Sequence, residues 1–151
     1  SFILKIFDSF MNHTLDLLYI LSSFYECVHI VKPYTSRYAN SEKYVVCKGF
    51  LYSNNSTFYD VLYNAFVKMT TNKGKQNVKR FLNIPLSYHF IIKMEEYNAV
   101  FGQQQLENIH YTISLIESKH KHEKLEQIAR TNISKCVHWC TKYHIPHLKD
   151  L

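Results

Sequence analysis

Glycine is scarce, at 3 of 151 residues against an average of about 7%. A glycine-rich phosphate or dinucleotide loop, whether G-x-G-x-x-G or a P-loop, therefore has no place in these residues. Cysteine is sparse too. Cys27, Cys47, Cys136 and Cys140 are too few and too scattered for a disulfide framework in a domain of this size, and three of them sit in apolar runs. That usage points to a reducing compartment, the cytoplasm. Long apolar runs are missing as well: the stretch near the start is broken by Lys5 and Asp8, far short of the ~20 residues that span a bilayer. A soluble chain without membrane contact is expected.

Apolar residues make up 46% of the chain, enough for the core of one domain. Lys and Arg total 18 against 12 Asp and Glu, a formal charge of +6. Such a balance favours a polyanionic partner or an acidic surface without choosing between them. The opening run, Ser1-Phe2-Ile3-Leu4-Lys5-Ile6-Phe7, reads as a buried strand with no initiating Met and no leading turn, as if cut from something longer.

Phe2 to Phe7 is apolar on both faces apart from Lys5, the pattern of an interior strand covered by helices on each side. Leu15, Leu18, Leu21 and Tyr25 recur at helical spacing, which predicts a helix over residues 14–25. Cys27 to Val31 reads as a second strand, ended by Lys32-Pro33. A polar loop leads to Tyr44-Val45-Val46-Cys47, a third strand closed by Gly49. Strand, helix, strand, strand is an α/β layout. Beyond it the period changes to that of helices. Phe58, Val61, Leu62, Ala65, Phe66 and Met69 form one stripe, a basic loop with Lys73 and Lys75 follows, and helices are predicted over 87–100, stopped at Gly102, and over 104–118. A last helix carries Leu125, Ile128, Ile133, Val137 and Cys140 before Ile145-Pro146 ends it. The expected organisation is thus a sheet-bearing segment, residues 1–52, with a helical extension, residues 53–151, packed on it.

Among chemistry-bearing residues, Lys5 is the odd one, a charge inside an apolar strand. A buried amine beside a second cation can act as a base, whereas a strand-end lysine can also reach solvent with its head. Glu42 opens the third strand. If that strand runs antiparallel to the first, Glu42 comes near Lys5. Cys136, Cys140 and His144 at i, i+4, i+8 invite a metal reading. The two cysteines share the stripe of Ile133 and Val137, however, where thiols pack as small apolar groups, and no metal is expected.

The string Lys32-Pro33-Tyr34-Thr35-Ser36-Arg37, then Asn40-Ser41-Glu42-Lys43-Tyr44-Val45-Val46-Cys47-Lys48-Gly49, preceded by Leu4-Lys5-Ile6-Phe7, resembles the FtsJ-like ribose 2'-O-methyltransferases, and within them the branch acting on capped messenger RNA. The resemblance implies the C-terminal part of a Rossmann-like methyltransferase sheet followed by an α-helical tail. It implies S-adenosylmethionine as methyl donor and a Lys-Asp-Lys-Glu tetrad, with Lys5 at the position of the proposed base and Glu42 at that of the glutamate. The other lysine, the aspartate and the glycine-rich donor loop are absent from these residues, so the chain alone is expected to be inactive. The same resemblance sets Lys32, Tyr34, Ser36 and Arg37 beside an RNA cleft, where cations hold phosphates and tyrosine can stack on bases. A solvated turn built on Pro33 and Asn40 is the other reading of that loop. Capped mRNA or another RNA is the implied partner, with the helical tail open to a protein partner. A non-catalytic RNA-binding or scaffolding module on the same fold is the alternative. The Lys-, Asn-, Ile- and Tyr-rich composition is compatible with a large cytoplasmic DNA virus of asfarvirus type.

Overall fold

The structure, a computed structural model, describes residues 1–54, 56–71, 78–118 and 121–147. The basic loop with Lys73 and Lys75 lies outside the described residues. The chain forms two compact units, Ser1–Leu106 and Glu107–Leu151.

In the first unit, β1 (Phe2–Ile6), α1 (Asn12–Phe24), β2 (Tyr25–Val31) and β3 (Lys43–Phe50) follow one another, then α2 (Ser56–Thr71) and the start of α3 (Tyr88–Glu117). The sheet order is β1-β3-β2. β3 runs antiparallel to both neighbours, so β1 and β2 are parallel to one another and α1 is the crossover between them. The β-branched run of β3 suits its central place. Successive residues of a strand face opposite ways, and Val45 and Cys47, both fully buried, look toward Leu18 of α1 and Met94 of α3. Ile6, Val28, Ile30, Leu15, Leu21 and Phe90 complete this core.

Asp16 joins the layers. It is fully buried on α1, accepts from Arg80 Nε at 2.8 and 3.0 Å, and accepts the backbone N–H groups of Phe81 and Leu82 at 2.7 and 3.2 Å. Burial pushes its carboxyl up. The Arg80 bond, the two backbone bonds and the Arg80 charge outweigh that and leave it below the ordinary value.

Three expectations are corrected. β1 is not covered on both sides: among the described residues it is an edge strand with four of its five residues exposed, Ile3 at 67%. The buried core with Leu18 of α1 and Met94 of α3 lies on the face bearing Val45 and Cys47. β3 does not close at Gly49, which takes φ 67° and lets the strand run on to Phe50. The break predicted at Gly102 does not occur, and α3 is one helix of 30 residues. A glycine ends a helix by adopting positive φ, and Gly102 does not do so. In a helical conformation it costs only about 1 kcal/mol relative to alanine.

The second unit holds the end of α3 and α4 (Lys121–Lys142). The apolar stripe on α4 exists as a pattern but is not core: no residue of the helix is buried, Cys136 is exposed, and Leu125 and Ile133 each retain 44% exposure. Periodicity fixes the helix and its face, while burial needs a covering element. α4 ends with His144 at φ 55°. The His144 N–H donates to Thr141 O and the Ile145 N–H to Cys140 O at 2.9 Å, the paired bonds of a left-handed helix stop. No described helix is long and apolar enough to cross a membrane.

Candidate functional site

The sheet register fixes where the two singled-out charges go. Lys5 pairs with Tyr44 and Ile6 with Lys43. Glu42, two residues before Tyr44, therefore projects from the same face and is the diagonal neighbour of Lys5. Lys5 Nζ lies 3.3 Å from Glu42 Oε2, and the Tyr44 hydroxyl donates to Glu42 Oε1. The ring of Phe7 lies 5.3 Å from the Lys5 ammonium, within cation–π range. Half of the Lys5 side chain is exposed against 19% of that of Glu42, so the glutamate is the more enclosed partner of the pair. The Tyr44 bond chiefly, then the Lys5 bond and the Lys5 and Lys32 charges, overcome desolvation and hold the Glu42 carboxyl below its usual value. The same bond to Glu42 pushes the Tyr44 phenol up.

The loop from Lys32 to Glu42 is built around the Lys32 amine. It lies within hydrogen-bonding distance of Asn40 O at 2.8 Å, Glu42 O at 2.9 Å, Asn40 Oδ1 at 3.1 Å and Ser36 Oγ at 3.2 Å. The Glu42 N–H donates to Asn40 Oδ1, and turns close from Ser36 N to Pro33 O and from Asn40 N to Arg37 O. Burial lowers the Lys32 ammonium despite the Glu42 charge. Lys32 and the buried Ser36 thus point into the loop and clamp the segment that presents Glu42. Arg37 and Tyr34 point outward, Tyr34 at 86% exposure. The structure brings Lys5, Glu42 and the Lys32–Ser36 clamp together, and leaves Arg37 and Tyr34 on the loop surface.

Sequence reasoning missed three participants. Tyr44 carries no site role in the sequence reading, although its spacing of two from Glu42 puts it on the same face. Asn40, counted only as a turn former, accepts from both Lys32 and Glu42. Lys43 is 4% exposed on the core side of β3, 5.5 Å from the Phe101 ring centre. Desolvation lowers its ammonium, the Asp8 charge opposes this, and Lys32 adds to it. Alternation with Val45 and Cys47 was the available signal. Among the described residues no three His, Cys, Asp or Glu side chains gather as a metal site.

Residues 1–50 match the family of FtsJ-like methyltransferases. The chain is 32% identical over 152 residues to the cap-specific mRNA (nucleoside-2'-O-)-methyltransferase 2 of Pongo abelii, an alignment covering 98% of this chain and 19% of that protein. It is 43% identical over 63 residues to the cap-specific mRNA (nucleoside-2'-O-)-methyltransferase 1 of Dictyostelium discoideum, covering 42% of this chain and 8% of that protein. To the corresponding methyltransferase 1 of Trypanosoma cruzi (strain CL Brener) it is 54% identical over 50 residues, 33% of this chain and 14% of that protein. The chain therefore spans less than a fifth of the length of these relatives. The mixed α/β layout with its small antiparallel sheet is consistent with part of a Rossmann-like methyltransferase fold.

Among the described residues no glycine-rich loop is placed to cradle the nucleoside of a donor such as S-adenosylmethionine. The described glycines are Gly49, where an added Cβ would meet Glu26 Cδ at 2.7 Å, and Gly102, inside α3. Neither lies in a loop opening a helix, so neither cradles a nucleoside.

Proposed function

Starting from residues 1–50 as FtsJ-like methyltransferase sequence, we propose that the chain is part of an S-adenosylmethionine-dependent ribose 2'-O-methyltransferase acting on capped mRNA. In this reading Lys5 takes the proton of the ribose 2'-hydroxyl and Glu42 orients the amine. The observation that carries it is the 3.3 Å approach of Lys5 Nζ to Glu42 Oε2 at the end of a strand, with half of the Lys5 side chain exposed. A hydroxyl hydrogen-bonded to that amine is held in one orientation by two groups that are themselves fixed, Glu42 by Tyr44 and Lys5 by Glu42. An amine accepts a proton only in its neutral form, which a second cation beside it favours. The second lysine of the resemblance has that place. The donor is held by residues other than these.

Lys32 and Ser36 serve the RNA indirectly, by clamping the loop that carries Glu42. Arg37 is the phosphate contact and Tyr34 the stacking contact of that loop. The test is methyl transfer to a capped oligoribonucleotide by the full-length protein, followed by nuclease digestion and identification of the modified nucleoside. A 2'-O-methylated nucleoside is the expected product. RNA binding without transfer would replace this reading by the RNA-binding scaffold.

A further inference from the structure

Beyond Phe7 the chain runs into a cleft of about 600 Å³ in the first unit, lined among others by Ser9, Phe10, Asn12, Arg80, Glu95 and Asn98. That volume falls within the range of small-ligand sites. Several of its polar groups are already matched. Ser9 Oγ donates to Asn98 Oδ1 at 2.6 Å and Asn98 Nδ2 to Ser9 O at 3.1 Å, while the Arg80 guanidinium is neutralised by Asp16. Left open toward the cleft are the ring of Phe10, 63% exposed, the amide of Asn12, apolar side chains such as Leu86 and Ile91, and the carboxylate of Glu95. With Arg80 neutralised and Glu95 negative, the cleft disfavours phosphate. It suits a flat neutral ring whose amino group can donate to a carboxylate, which describes a nucleobase.

The cleft also adjoins the segment that presents Glu42. Phe10 and Asn98 line a second, smaller hollow together with Lys32, Asn40, Ser41 and Lys43. The five-residue step from Lys5 to Phe10 spans at most about 17 Å. We propose that this cleft binds a nucleobase flanking the reacting ribose, its face on Phe10 and its exocyclic amine on Glu95. The inference rests on the reading of the chain as part of an RNA methyltransferase.

The test is an abasic scan. A short capped oligoribonucleotide, with one base removed at a time, is titrated against the full-length protein and its Phe10→Ala, Phe10→Trp and Glu95→Gln variants. One abasic position is expected to weaken wild-type binding about tenfold and to have no further effect on Phe10→Ala, itself weakened by the same factor. Phe10→Trp keeps the affinity. Glu95→Gln loses the preference for an amine-bearing base at that position. Equal abasic penalties in wild type and Phe10→Ala overturn the proposal, and so does an unchanged preference in Glu95→Gln. If the folded wild-type protein binds no capped RNA, the methyltransferase reading fails and this one with it. If it binds and methylates while Phe10 and Glu95 are neutral, only the cleft assignment fails.

Discussion

Lys32 and Arg37 sit five residues apart in one loop, and the structure gives them different work. The Lys32 amine is spent on Asn40, Ser36 and the Glu42 carbonyl, whereas Arg37 lies on the surface. Lys32→Met should lower kcat by loosening the Glu42 segment while leaving the salt dependence of RNA binding unchanged. Arg37→Ala should raise Kd for RNA and flatten the salt slope by about 0.7 for one single-strand phosphate contact. Titrations at several salt concentrations, run beside single-turnover transfer, separate the two. Asp16 gives a prediction on stability. Asp16→Ala leaves the partly buried N–H donors of Phe81 and Leu82 without an acceptor, at a cost of about 2 kcal/mol in urea unfolding. Because the folded carboxyl titrates below its ordinary value, its contribution is complete above the unfolded pKa and is lost as pH falls through the folded one. The gap between wild type and Asp16→Ala should therefore close in acid.

At the scale of elements, the two described glycines call for opposite outcomes. Gly102 is helical with open space around its Cβ position, so Gly102→Ala should stabilise α3 by about 1 kcal/mol. Gly49 holds φ 67° against Glu26, and Gly49→Ala should destabilise β3 by about 1–2 kcal/mol from the backbone alone, more as Glu26 is displaced. Urea midpoints of the two variants check both signs. Most elements were legible. The alternation of β3 and the leucines of α1 follow directly from the two periods, and the pairing of Lys5 with Glu42 follows from an antiparallel register. What escaped was whatever depends on neighbours. Gly102 reads as a stop because glycine allows positive φ, yet permission is not adoption. Asp16 and Arg80 lie 64 positions apart, and no period links them. The clamp role of Lys32 needed the backbone carbonyls that only the folded loop brings within reach.

At the scale of the whole molecule, a chain that is 46% apolar has only four buried hydrophobic residues among those described, two of them fully buried. Strand β1, the stripe of α2 and the stripe of α4 are all partly open, with Ile3 at 67%, Val61 at 68% and Ile133 at 44% exposure. The sequence pattern says which face is apolar and does not say what lies on it. Function divides in the same way. On the proposed reading the donor is held by other residues, so residues 1–151 by themselves are expected to transfer no methyl group to capped RNA when supplied with S-adenosylmethionine. Scintillation counting of the recovered RNA checks this.

On the proposed reading Lys5 moves a proton and does more than neutralise Glu42. Arginine in its place keeps the positive charge and the ion pair but cannot act as a base, since the guanidinium stays protonated. Single-turnover methyl transfer by the full-length protein bearing Lys5→Arg should fall by at least about 100-fold, with RNA affinity within twofold of wild type. Transfer at the wild-type rate would leave Lys5 no part in moving the proton.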